Sequence, residues 1–270
     1  MRADLVSDDL WERVAPLLPP APARRHRYPG RLRVPDRAAL SAVMYVLRTG
    51  VAWRDVPAET VGCSGVTAWR RLWDWTEAGV WSRLHAALLT ELRRADLFGL
   101  DDCAVDGSHI RALKGGIMSA PHPSTAPVPH SKHHLMVDRH GAPLAVTLTG
   151  GNRHDVTQLL PLLDAVPPIR GARGRPRRKP RRLYADRGYD FDKYRRLLRQ
   201  RGIKPMIARR GVAHGSGLGK VRWVVERAFA WLHQFKRLRT RCERRADLHQ
   251  GLLELACSLI CLRRLLRPSF

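Results

Sequence analysis

The chain has 270 residues, 44% of them hydrophobic, enough for one large domain or two modest ones. Its 49 Lys and Arg outnumber 24 Asp and Glu, giving a net charge of +25 and a pI near 11.3. Such a field draws polyanions, with nucleic acid the default partner, while no apolar run approaches the ~20 residues of a membrane span.

Residues 5–18 (LVSDDLWERVAPLL) predict a short helix, with Ser7 at its N-cap and Asp8 and Asp9 at the positive end of its dipole. The acidic, amphipathic start is unlike a signal peptide. Residues 19–35 form a loop rich in Pro and Arg. Asp36 is expected to cap a second helix that Gly50 stops. Ser64 opens a third, ending at Gly79, and a fourth runs from Val80 to about Leu97. Residues 1–98 therefore read as a small all-helical domain. Its second and third helices could act as a helix-turn-helix-like reader, with Arg54, Arg70 and Arg71 on DNA. The alternative is a plain bundle whose core is filled by Trp69, Trp73, Trp75 and Trp81.

From residue 99 the pattern changes. Strands are expected over DDCAVDGSHI and over residues 133–138, 143–150, 182–185 and 203–208. Helices are expected over 156–165, 191–201, 221–241 and 248–266. Three strands in meander followed by alternating helix and strand imply a mixed α/β sheet flanked by helices, over residues 99–270. Cys257 and Cys261, one turn apart in the last apolar helix, read as core. Together with Cys63, Cys103 and Cys242 they are odd in number and contain no CxxC pair. That pattern points to reduced thiols in a cytosol.

Three acids stand where such a sheet places chemistry. Asp106 is expected at the end of the first strand and Asp186 at the end of the fourth. Glu226 is the lone acid in VRWVVERAFAWLHQFKRLRTR. Carboxylates close together do not both ionise cheaply without a cation between them. Hard oxygen ligands suit Mg²⁺ or Mn²⁺, and two such ions about 3.5–4 Å apart would serve phosphodiester chemistry. On a helix, Arg222, Glu226, Ala230 and His233 fall along one strip. Arg222, Arg227 and Lys236 are candidate phosphate contacts.

Residues 170–182 (RGARGRPRRKPRR), Lys179 among them, carry eight cations in 13 positions. Being rich in Pro and Gly, they read as a flexible loop on the phosphate backbone. Asn152, His154 and Asp155 of GGNRHD either line the site or only form a turn. His130, His133 and His134 alternate in facing, which argues against a shared metal. Asp190 and Asp192 are expected to cap the helix after YADRGYD. HGSGLGK lacks the spacing of a Walker loop.

VDGSHIRALKGG, SKHHLMVD, PLAVTLTGGNRHDVTQLLPLLD, LYADRGYD, IARRG, HGSGLGK and RWVVERAFAWLHQFKRLR occur here in order. Together they resemble the DDE transposases of the bacterial insertion sequence five family. LWERVAPLLPP, YVLRTGVAWRDVP and WRRLWDWTEAGVW extend the resemblance over nearly the whole chain. It implies a ribonuclease H-like mixed sheet flanked by helices, preceded by a small all-α domain. Asp106 of VDGSH, Asp186 of YADRGYD and Glu226 of WVVER would be the metal-holding catalytic trio. The implied reaction is metal-dependent cleavage at the terminal inverted repeats, then attack of the freed 3′-OH on target DNA. It implies two Mg²⁺ or Mn²⁺ ions, a homodimer or larger assembly on double-stranded DNA, no membrane, and a bacterial cytoplasm at the nucleoid.

Two departures stand out. Of a Tyr-Arg-Glu-Lys signature in related transposases, Arg222 fits the Arg, while Gly219 and His233 stand where Tyr and Lys would be. Between KGG and SKHH the chain reads IMSAPHPSTAPVPH. G+C-rich codons for residues 117–129, read from one preceding G, spell Asp-His-Val-Gly-Pro-Ser-Pro-Val-Asp-Arg-Ala-Arg-Pro, the kind of segment the resemblance leads one to expect. If the gene carries such codons, a pair of compensating frameshifts explains the segment; the other reading is an ordinary diverged, Pro-rich loop. The alternatives are therefore a decayed copy that binds DNA but cuts weakly, and a metal-dependent nuclease of the same fold.

Overall fold

The computed structural model describes residues 5–23, 26–27, 31–121, 129–211 and 218–267, leaving aside the side chains of 121 and 218–222. The N-terminal part comprises helices α1 (Asp8–Val14), α2 (Asp36–Thr49), α3 (Ala58–Val61), α4 (Gly65–Glu77) and α5 (Val80–Arg94). Ser7 and Ser64 are N-caps as expected, their Oγ atoms accepting from Leu10 N and Thr67 N. Asp36 is not a cap. It is the first residue of α2, where its carboxylate meets Arg33 at 2.9 Å and Arg71 at 3.2 Å. A Cβ on Gly65 would lie 1.6 Å from Trp53 O, so only glycine lets the Trp53 loop rest on α4. Trp75 and Trp81 are buried edge-on with centroids 5.9 Å apart, while Trp69 and Trp73 stay half-buried.

The described strands form one sheet of seven. They are β1 (Asp102–Ala112), β2 (Ala120–Pro121), β3 (Pro129–Asp138), β4 (Pro143–Gly150), β5 (Arg182–Ala185), β6 (Lys204–Ile207) and β7 (Thr240–Arg241). β1, β3 and β4 are an antiparallel meander. β5 joins the free edge of β1 in parallel, and β6 joins β5 in parallel. The order β4-β3-β1-β5-β6 is the ribonuclease H-like arrangement. β2 pairs with the start of β3, and β7 with the far end of β1. Helices α6 (Leu159–Ala165), α7 (Asp192–Gln200), α8 (Leu218–His233) and α9 (Ala246–Leu266) complete the fold.

The basic helix expected over 221–241 ends at His233. A 3₁₀ turn, Lys236–Leu238, and then β7 follow. The cause is Arg237, which turns inward to the buried Glu243 at 2.6 Å and donates to Val51 O at 2.9 Å. Arg239 folds back onto His233 O at 2.7 Å. α9 packs against α5 on one side and β4 on the other, so the N-terminal helices and the sheet share one apolar core. Cys257 and Cys261 lie fully buried in it, and all five cysteines are free thiols. No described helix is long and apolar enough to cross a membrane.

Candidate active site

Asp106 is not at a strand end. β1 continues to Ala112 because it is paired with β3 from Cys103 to Arg111. What stops near Asp106 is the pairing with β5. The last pair of that parallel register is Ala104 with Tyr184, so Asp106 lies two residues beyond it on β1 and Asp186 two residues beyond it on the other segment, just after β5 ends. Main-chain donors orient both carboxylates. Gly107 N donates to Asp106 Oδ1 at 2.8 Å, and Gly188 N to Asp186 Oδ1 at 2.8 Å. The second bond makes Asp186 the N-cap of a 3₁₀ turn, Arg187–Tyr189.

Side chains paired across antiparallel strands share a face, so Asp106 and Ser108 point with Leu135 and His133. His133 Nε2 lies 2.9 Å from His249 Nε2 of α9, and its ring centroid 6.2 Å from that of His233 of α8. Asp106 thus faces the layer of α8 and α9. Glu226 is on α8, exposed beside buried Val225. The two aspartates both act on the buried Tyr189 hydroxyl, and Glu226 is on α8, which packs on β1. Among the described residues no three His, Cys, Asp or Glu side chains gather as an ion-binding group.

A second cluster adjoins this pair, and the sequence reading missed its cation and its phenol. A Cβ on Gly107 would lie 2.9 Å from Asp155 Oδ1, so Asp155 packs over the residue next to Asp106. Buried Lys132 donates to Asp155 Oδ1 at 3.0 Å and to Arg153 O at 2.8 Å. His134 lies beside them, its Nδ1 3.7 Å from Asp155 Oδ1 and its Nε2 2.7 Å from Thr149 Oγ1. Burial lowers its pKa to about 4, so it is neutral at pH 7. Tyr189 is 1% exposed, and its hydroxyl has no hydrogen-bond partner among the described residues. Burial first, then the charges of Asp155, Asp106 and Asp186, push its pKa well up, so it remains a donor. Strand alternation was the available signal: Lys132 and His134 share the Gly107 face, whereas His133 takes the opposite one. Asn152 and His154 are exposed, and Asp155 between them and the sheet is the inward member of GGNRHD.

The cations singled out from sequence have mixed fates. Arg70 and Lys236 are exposed. Arg71 is 13% exposed and committed to Asp36, so it is not an available DNA contact. Arg227 is held between Trp223 and Trp231, 4.2 and 4.8 Å from their centroids, and donates to His140 O at 2.7 Å. Lys179 donates to Arg201 O at 2.7 Å. The side chain of Arg222 lies outside the described residues. His233 is half-buried against Phe229, and burial lowers its pKa. Asp190 and Asp192 do not cap α7, whose N-cap is Phe191. Asp190 instead meets Arg195 at 2.7 Å and accepts from Arg210 N at 2.8 Å, tying the stretch after β6 to the turn after Asp186.

Known proteins match on both halves. The family model described as Transposase DDE domain covers residues 98–261, and one for transposases of the IS4/5 family covers residues 6–85. A protein named as transposase for insertion sequence element IS402 of Burkholderia cepacia is 60% identical over 151 residues, 56% of this chain and 72% of that protein. An uncharacterized 16.2 kDa protein of the same element is 54% identical over 117 residues, 43% of this chain and 79% of that protein. A crystal structure of a pre-cleavage Mos1 transpososome covers 91% of this chain and 82% of its own, at 11% identity and a TM-score of 0.28.

Proposed function

The chain belongs to the DDE transposase family, enzymes that cut DNA and transfer its strands, and from that premise we propose that Asp106, Asp186 and Glu226 are its catalytic, metal-holding carboxylates. The observation that carries this reading is that Asp106 and Asp186 each follow the last β1–β5 pair, Ala104 with Tyr184, by two residues, each carboxylate fixed by a main-chain N–H and both acting on the same buried Tyr189 hydroxyl. An all-carboxylate donor set fits hard divalent cations, two Mg²⁺ or Mn²⁺ ions. Such ions would supply an activated water and neutralise charge on the leaving oxygen. The protein's own part is positioning: one aspartate on β1, one at the turn that ends β5, and a third acid on the helix over the sheet. The substrates in this reading are duplex terminal repeats and target DNA, and two ends call for at least a homodimer. Arg70, Lys236 and Arg222 remain proposed phosphate contacts.

The test is Mg²⁺-dependent cleavage of a duplex carrying the element's terminal repeats. Asp106→Asn, Asp186→Asn and Glu226→Gln should each abolish cutting while leaving binding. Intact cleavage in any of them overturns that residue's assignment. A second reading, a copy that binds ends but cuts weakly, draws on Ile117 and Met118. They are 75% and 47% exposed, and Met118 has φ of 61°, a left-handed conformation unusual for its type. Residues 122–128 of the same stretch lie outside the described residues. Binding without cutting by the unmutated chain would favour this second reading.

A further inference from the structure

The basic stretch ahead of β5 is not the loose loop its Pro and Gly content suggests. Ile169 and Arg177 exchange both backbone hydrogen bonds, at 2.9 and 3.0 Å, closing a hairpin. Arg93 of α5 donates to Ile169 O, Arg178 to Val166 O at 3.3 Å, and Lys179 to Arg201 O. Arg177 and Arg181 meet Asp101, and Arg182 meets Asp102 at 2.7 Å. These two acids stand at the start of β1. Because β1, β5 and β6 are parallel, and Arg182 and Lys204 open the latter two, the hairpin is seated where all three strands begin. Asp106 and Asp186 lie toward the other end. Four strand steps separate Arg182 from Asp186, about 13 Å at ~3.3 Å per residue.

The clamps consume the cations at the hairpin's base and leave others presented. Arg170, Arg173, Arg175 and Lys204 are exposed, and among the described residues no carboxylate lies within ion-pair reach of any of them. An anchored scaffold presenting unpaired guanidinium groups suits phosphate contact, which positions a duplex without reading its sequence. The same anchoring keeps the hairpin from swinging to the carboxylate end.

We propose that this pole is a second binding surface for the phosphate backbone of duplex DNA, holding a segment other than the strand at the carboxylates. It rests on the carboxylate reading only for which strand is cut. Binding is therefore measured in the Asp106→Asn chain, where no chemistry is needed. Three duplexes are titrated against salt: a short terminal repeat, the same repeat with a flank of roughly 20 bp, two helical turns, and an unrelated duplex added to the preformed end complex. Arg170→Ser, Arg173→Ser and Arg175→Ser together should lower the slope of log K against log salt by about 2–3, at ~0.9 per phosphate contact. A loss confined to the flanked repeat identifies the flank as the segment held, and a loss on the added duplex identifies a separate molecule. In the cutting-competent chain the same triple variant should cleave the short repeat normally, and where the slope loss is on the added duplex, joining to a second duplex should fall at least about tenfold. Unchanged slopes for all three duplexes overturn the proposal, as does an equal loss on the short repeat. A wild-type chain that never cuts, but whose slopes shift as stated, would favour the weakly cutting copy, while intact cleavage in the carboxylate variants would sink the carboxylate reading; either leaves this one standing.

Discussion

Gly107 is where the two faces of β1 come closest to the chemistry. Its neighbour Asp106 points to the helical layer, while its own bare Cα lets Asp155 settle beside Lys132 on the other side. Gly107→Ala should push Asp155 off Lys132 and cost about 1–3 kcal/mol, read by urea denaturation; an unchanged midpoint would show that Asp155 moves aside freely. Tyr189 makes a sharper case. A buried hydroxyl without a partner contributes nothing to stability, so Tyr189→Phe should be neutral or stabilising by up to roughly 1 kcal/mol. A loss greater than that would mean the hydroxyl is bonded in solution. Little of this was legible in the residues. Asp106 and Asp186 sit in strings that declare themselves, but Lys132 and Tyr189 acquire their setting only from the antiparallel register and the 3₁₀ turn.

At the scale of elements, local signals did most of what they could. Ser7, Gly50 and Ser64 mark helix ends by their own chemistry, and β4, β5 and α9 lie close to where pattern placed them. The failures share one cause, a partner distant in sequence. β1 runs past Asp106 because β3 pairs with it throughout, and α8 stops early because Arg237 is wanted inside by Glu243 and by the carbonyls after α2. That contact can be tested. Arg237→Met leaves the buried Glu243 carboxylate with only the His249 ring, 3.5 Å away, beside it, and should destabilise the chain by about 3–5 kcal/mol, and adding Glu243→Gln should recover part of the loss. Additive losses in the double variant would show that the two side chains do not depend on each other.

For the molecule as a whole, buried histidines set the response to acid. Burial lowers the pKa of His85 to about 4 and also lowers those of His133 and His249. In the unfolded chain such rings protonate near pH 6.5. Between the two values the unfolded state binds more protons, so the stability is present above about 6.5 and lost as pH falls toward 4. His85 alone should cost about 2 kcal/mol between pH 7 and pH 5. Thermal melting at those two pH values should show the drop, and His85→Gln, which can still donate to Pro143 O, should flatten part of it. Equal melting temperatures would refute the account. Another whole-chain prediction concerns the gene: its codons for residues 117–129 should restore the expected acidic and basic segment when read from the preceding nucleotide. Codons that do not restore it remove the frameshift explanation.

β1 carries the anchors of the basic hairpin at its start, a carboxylate at its middle and the pairing with β7 at its end. It therefore acts as a ruler with a parity. Inserting one residue between Asp102 and Asp106 would change the spacing by only about 3 Å but would turn Asp106 to the opposite side of the sheet. The hairpin, in contrast, can lengthen at its tip without moving either fixed point. Descendants of this chain can thus vary their grip on DNA one residue at a time, while the strand beneath can change length only in steps of two.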